Sequence, residues 1–134
     1  MLEQPNTQQA KDAYAAFGRG DMPALLAALA DDIEWVAPGP AAVPTAGTHR
    51  GKQAVQDWFG TLFENLEFSV FEPREFIAQG DQVISLLYVE AARRRNGRKI
   101  VTHEAHAFTF RDGKVARFQI YQDTAAVAAA YRGE

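Results

Sequence analysis

The chain has 134 residues, 47% of them hydrophobic and 11% aromatic, which supplies one core with a lined cavity and leaves too little for a second domain. A formal charge of -3 excludes gripping nucleic acid through a broad basic surface, and the absence of cysteine excludes disulfides, thiolate metal sites and a cysteine nucleophile. The start, MLEQPNTQQAKD, has no basic stretch leading into an apolar run, and no segment approaches the roughly 18 apolar residues of a membrane span, so the expectation is a soluble cytoplasmic domain.

Across 7–17, Ala10, Ala13, Tyr14 and Phe17 recur at helical spacing, with Thr7 placed as the cap and Gly18 and Gly20 as stops; this predicts the first helix. Asp21 then caps a short second helix in which Leu25, Leu26 and Leu29 face inward. Asp31 and Asp32 break that pattern and lead into a short strand over 33–37. Residues 38–51 hold three of the six prolines and three glycines, which predicts a long irregular segment suited to lid a pocket. A third helix over 52–66 presents Val55, Trp58, Phe59, Leu62 and Phe63 on one side.

From Glu67 the texture turns to strand, in four runs over 68–78, 82–93, 99–110 and 115–122. Gly80 with Asp81, Asn96 with Gly97, and Asp112 with Gly113 separate them, and Asn-Gly and Asp-Gly are strong hairpin signals because both residues tolerate positive φ. The sheet is therefore read as an antiparallel meander, followed by an alanine-rich helix over 124–131 that Asp123 or Thr124 caps. The class is α+β, with helices covering one face of a curved sheet. Strand 83–91 is apolar on both sides, so a homodimer burying the outer face is expected.

The segments YAAFGRGDMPALLAALADDIEWVAPG, AGTHRGKQAVQDWF, EFIAQGDQV and HAFTFRDGKVARFQIYQDTAA together resemble SnoaL-like proteins of the nuclear transport factor 2-like superfamily, which includes ketosteroid isomerases and polyketide cyclases. The resemblance runs over almost the whole chain. It implies a cone in which three N-terminal helices pack on a highly curved, mainly antiparallel sheet around a pocket, with a short C-terminal helix and commonly a homodimer. Carried over residue by residue, the isomerase's catalytic aspartate falls at Ala37, its oxyanion tyrosine at Ala13 beside Tyr14, and its protonated aspartate at His106. The aspartate of limonene epoxide hydrolase, another member, falls at Ile120, and a cyclase-type carboxylate near the last strand points to Asp123.

Strand pairing narrows the chemistry. A two-residue Asn96-Gly97 turn sets Arg95 opposite Arg98, hence His106 opposite Leu87, Glu104 opposite Val89 and His103 opposite Glu90. Glu104, His106 and Phe108 share one face, so a carboxylate and an imidazole go inside together whichever face meets the helices; the resemblance selects the face of His106. Such a pair suits acid/base work on a carbonyl compound, or else the two groups satisfy each other in the sheet. His103 with Glu90 reads as an ion pair of the outer face. For the last strand, a two-residue Asp112-Gly113 turn pairs His106 with Gln119 and Glu104 with Tyr121, whereas a bulge at Gly113 pairs them with Phe118 and Ile120. The bulge is preferred because it puts Phe118 and Ile120 inside, leaving Asp123 as a cap.

His49 stands near the expected pocket mouth, Tyr14, Trp35 and Trp58 fit either core or ligand wall, and Phe17 and Phe59 read as core. Three histidines without ligand spacing predict no metal site. Arg93, Arg94, Arg95, Arg98 and Lys99 read as a charged hairpin tip. The resulting expectation is a cofactor-independent isomerase, cyclase or dehydratase with His106 and Glu104 as acid/base residues and a pocket of Tyr14, Trp35, His49, Trp58, Phe118 and Ile120. The alternatives are a carrier or sensor of an apolar small molecule, and a dimerisation module.

Overall fold

In a computed structural model describing residues 2–134, the first helix, α1, runs Glu3–Gly18 and buries Asn6, Ala10, Ala13 and Ala16. It starts ahead of Thr7 because Pro5 is harmless in a first turn; Thr7 is internal, its hydroxyl donating back to Glu3 O at 2.7 Å rather than capping. Asp21 caps α2 (Met22–Ala27) by accepting from Ala24 N at 3.1 Å. Strand β1 follows at once, Leu29–Ala37. Leu29 therefore belongs to the strand, and the Asp31-Asp32 break marks an irregularity within β1, where its pairing shifts between Leu29 and Glu34.

The segment expected to be irregular as far as Gly51 ends in a strand, β2 (Gly47–Arg50), antiparallel to β1 with His49 opposite Trp35. Helix α3 (Lys52–Asn65) buries Val55, Trp58, Phe59 and Leu62, while Phe63 is 39% exposed. The meander then runs β3 (Leu66–Gln79), β4 (Gln82–Arg93), β5 (Lys99–Arg111) and β6 (Lys114–Tyr121), and α4 (Thr124–Arg132) closes the chain. The six-stranded sheet is ordered β2-β1-β6-β5-β4-β3, with β1 parallel to β6 and every other pair antiparallel. Register shifts in β3 at Phe68/Val70 and Pro73/Glu75, and in β5 at Thr109/Phe110, are the bulges that bend such a sheet into a cone. Its inner face buries Val83, Ser85, Leu87, Val89 and Ala91.

Both hairpins differ from the sequence count. Only Gly97, at φ 70°, is left-handed at the β4–β5 tip, whereas a type I′ turn needs positive φ at both central residues. The loop is therefore four residues long, closed by Arg93 N donating to Arg98 O at 2.8 Å. His106 thus faces Ser85, Glu104 faces Leu87 and His103 faces Tyr88, a slip of two residues that leaves every side chain on its expected face. The expected Glu90–His103 ion pair does not form: Glu90 accepts instead from the Tyr88 hydroxyl at 2.6 Å. At the β5–β6 tip Asp112 and Gly113 take φ 53° and 76° and make the two-residue turn, with Arg111 opposite Lys114. A bulge further along, not at Gly113, then places His106 opposite Ile120 and Phe108 opposite Phe118. Phe118 and Ile120 face inward, by a different device from the one expected.

Candidate active site

Helix α1 lies over the inner face of the sheet and lowers Tyr14 between β4 and β5. The Tyr14 hydroxyl is hydrogen-bonded to Ser85 Oγ and, at 2.8 Å, to His106 Nδ1. On the other side of the ring His106 Nε2 meets Glu104 Oε1 at 2.9 Å. Ser85, Tyr14, His106 and Glu104 thus form one continuous relay, whose His106 is 4% exposed. Phe118 packs edge-on to the imidazole, with centroids 5.0 Å apart, and Phe71 covers it from β3.

Both ring nitrogens of His106 are committed within the relay, so it has none left for a ligand. The group with free capacity is Glu104: its second oxygen, Oε2, has no hydrogen-bond partner among the described residues and is not sealed by neighbouring atoms. Burial raises the Tyr14 pKa far above its ordinary value and the Glu104 carboxylate adds to the rise, while the Ser85 bond pulls the other way. The phenol is therefore a neutral hydrogen-bonding group at any physiological pH, not a base.

The relay opens on a cavity of about 110 Å³ whose wall includes Tyr14, Trp35, Trp58, Phe118 and Ile120 together with Glu104 and His106. Trp35 stacks on Phe118 with centroids 4.0 Å apart and meets Trp58 edge-on. Phe17 and Phe59, read from the sequence as core, also reach this wall. His49 does not: its Nε2 donates to Thr45 O at 3.2 Å, the same carbonyl that accepts from Trp58 Nε1 at 2.9 Å. The imidazole helps fix the 38–46 segment from outside the wall. Ala37, where the isomerase base would fall, presents only a methyl group to the cavity.

Asp123 caps α4 by accepting from Ala126 N at 3.0 Å and is not in the wall. Two arginines of the hairpin tip also cap helix ends: the exposed Arg94 donates through Nε to Phe63 O of α3 at 2.7 Å, and Arg93 donates to Tyr131 O of α4 with its guanidinium over the Tyr131 ring. Among the described residues no three His, Asp or Glu side chains gather into a metal-binding group, and no helix is long and apolar enough to cross a membrane.

Two polar residues of the candidate site escaped the sequence analysis. Ser85 is the polar side chain between Val83 and Leu87 on the inner face of β4, and that isolation among apolar neighbours was the available signal. Gln122 lines the cavity one position beyond the Ala105–Tyr121 pair, so it flanks Glu104, and its amide makes no hydrogen bond among the described residues. It was hidden because its face depends on the bulge in the last hairpin.

The family model of the SnoaL-like domain matches residues 10–118. Among solved structures, an NTF2-like protein of Burkholderia xenovorans LB400 is 40% identical, with 98% of each chain covered and a TM-score of 0.90. An NTF2-like protein of Burkholderia thailandensis E264 is 32% identical, with 97% of this chain and 98% of that one covered and a TM-score of 0.84. TerC, co-crystallized with polyporic acid, is 29% identical, with 96% of this chain and 98% of that one covered and a TM-score of 0.86. No curated protein matches the sequence.

Proposed function

This chain belongs to the SnoaL-like domain family of NTF2-like proteins, and on that premise we propose that it is a cofactor-independent enzyme of isomerase, cyclase or dehydratase type acting on an apolar carbonyl compound. The observation that carries the proposal is the Glu104 carboxylate, held by His106 through one oxygen and open at the other, on the wall of an apolar cavity. In this reading Glu104 Oε2 takes the proton from the carbon next to the carbonyl. The C–H electron pair becomes the new C=C bond of an enolate, whose oxygen the Gln122 amide holds. The proton then returns to another carbon, or the enolate closes a ring or expels a leaving group. His106 is a positioning residue here: its N–H fixes the carboxylate, and Tyr14 fixes its ring. That a similar protein, TerC, was co-crystallized with polyporic acid supports a small-molecule occupant.

The test needs no knowledge of the natural substrate. 2-Indanone incubated with the protein in heavy water should exchange its α-hydrogens faster than in buffer, read by proton NMR. Glu104→Gln should lower that enhancement by roughly 10²- to 10⁴-fold, the usual worth of a positioned acid or base, while the ketone still binds. Binding without any exchange in the wild type would put the carrier reading in place of the enzyme. A homodimer joined through the outer face of the sheet belongs to the same proposal, supported by the half-exposed Ile77, Val101 and Tyr121 on that face.

A further inference from the structure

We infer, on the reading of the cavity as a site for an apolar carbonyl compound, that Thr45 is a specificity-determining residue whose hydroxyl binds a second oxygen at the end of the substrate remote from the carbonyl. Thr45 is 8% exposed and belongs to the cavity wall. Its Oγ1 makes no hydrogen bond among the described residues, yet neighbouring atoms do not seal it. A threonine in a connecting segment ordinarily turns its hydroxyl to water or to nearby backbone. A buried one with neither has given up the hydrogen bonds it had in the unfolded chain, and an occupant of the cavity can restore them.

The residue is also held more firmly than a connecting segment requires. Its carbonyl oxygen accepts from Trp58 Nε1 at 2.9 Å and from His49 Nε2 at 3.2 Å, so α3 and β2 fix it from two directions. Val43, two residues earlier, is buried, and its own carbonyl accepts from Ala46 N at 3.0 Å, which closes a turn around Thr45. The hydroxyl is thereby presented from a fixed backbone. A group already in place loses little freedom when a ligand arrives, which is what favours binding through it.

The location defines what the hydroxyl reads. In the strand order β2-β1-β6-β5, β6 separates the β1–β2 connection that carries Thr45 from the strand that carries Glu104. Glu104 and Gln122 take the carbonyl end in the proposed reaction. The wall that β1 and β6 supply includes Ala37, Phe118 and Ile120, all apolar. The matching substrate is an apolar ring or chain with an oxygen at each end. Because a hydroxyl both donates and accepts, the second oxygen is a ketone, an ether or a hydroxyl. A carboxylate or phosphate does not fit, since no lysine or arginine lines the cavity among the described residues.

Calorimetric titration with 2-indanone and 5-hydroxy-2-indanone, whose hydroxyl lies at the far end from the carbonyl, tests this as equilibrium binding and needs no turnover. The wild type should bind the hydroxylated ketone about two- to tenfold more tightly, the net worth of one neutral hydrogen bond. Thr45→Val keeps the branched shape and the pinned carbonyl. It should bring the two affinities together and leave that of 2-indanone unchanged, whereas Thr45→Ser should retain the preference. Because the hydroxyl has no partner in the protein, Thr45→Val should also melt no lower than the wild type. A clear loss of stability would show the hydroxyl bonded within the fold and overturn its role in binding. Equal affinities in the wild type, or a preference that survives in Thr45→Val, overturns that role while the carbonyl site stands. If neither ketone binds, the reading of the cavity falls and the role of Thr45 falls with it.

Discussion

Tyr14 ties stability to pH as well as to the relay. Its folded pKa lies above the unfolded value of about 10. Above that pH the unfolded chain gives up the phenolic proton that the folded chain keeps, so the unfolded state binds fewer protons and stability falls as pH rises. The contribution is present in full below pH about 10 and drains away above it, by at most about 1.4 kcal/mol per pH unit for one proton. Urea unfolding at two alkaline pH values should show the wild type losing more stability than Tyr14→Phe, which has no proton to lose; equal losses would mean that the phenol is not held neutral. At this scale the sequence was half legible. The shared parity of Glu104 and His106 follows from alternation alone, which no register error disturbs. Their neighbours depend on turn geometry, so Ser85 and Gln122 could not be found by counting.

Among the elements, α4 depends most on a single residue. It sets Val127 and Tyr131 into the cavity wall, and its first turn is held by the bond from Ala126 N to the Asp123 carboxylate. Asp123→Ala should cost about 1 kcal/mol in unfolding free energy and speed amide hydrogen exchange in the first turn of α4 while leaving β5 protected. Unchanged exchange there would show that Arg93 and Asn96, which bind the last carbonyls of the helix, suffice to hold it. These same contacts add helix-end bonds to a hairpin tip that is charged and, at Arg94, Arg95, Arg98 and Lys99, exposed, as the sequence implied. A run of basic residues looks alike in sequence whether it meets water or helix ends, and only the fold brings α3 and α4 to it. Strand β2 was invisible for a related reason: GTHR has no apolar alternation of its own and is a strand because β1 lies beside it.

Across the whole molecule, the class, the helices and the four-strand meander were legible because period and turn chemistry agree along the second half of the chain. What local pattern could not supply was the placing of β1, the one parallel neighbour in the sheet. The outer face carries the remaining question of assembly. Two copies paired through it should sediment at twice the chain mass, and Val101→Glu, placing a charge at a position 50% exposed in the isolated chain, should shift the equilibrium to monomer. A wild type that sediments as a monomer at micromolar concentration would remove the dimer from the proposal.

The parallel pairing of β1 with β6 also has a meaning in time. During synthesis β1 emerges with α1, α2 and α3, but the strand that completes its far edge is the last to be made. Closing so long a stretch of chain costs entropy before any contact repays it, which slows folding. Until Lys114–Tyr121 arrives, β1 is paired with β2 on one edge and open on the other, although β3 and β4, on which α1 packs, are already made. A ribosome stalled before β6 would therefore present β1 with an unpaired edge, the kind of surface that chaperones exist to shield.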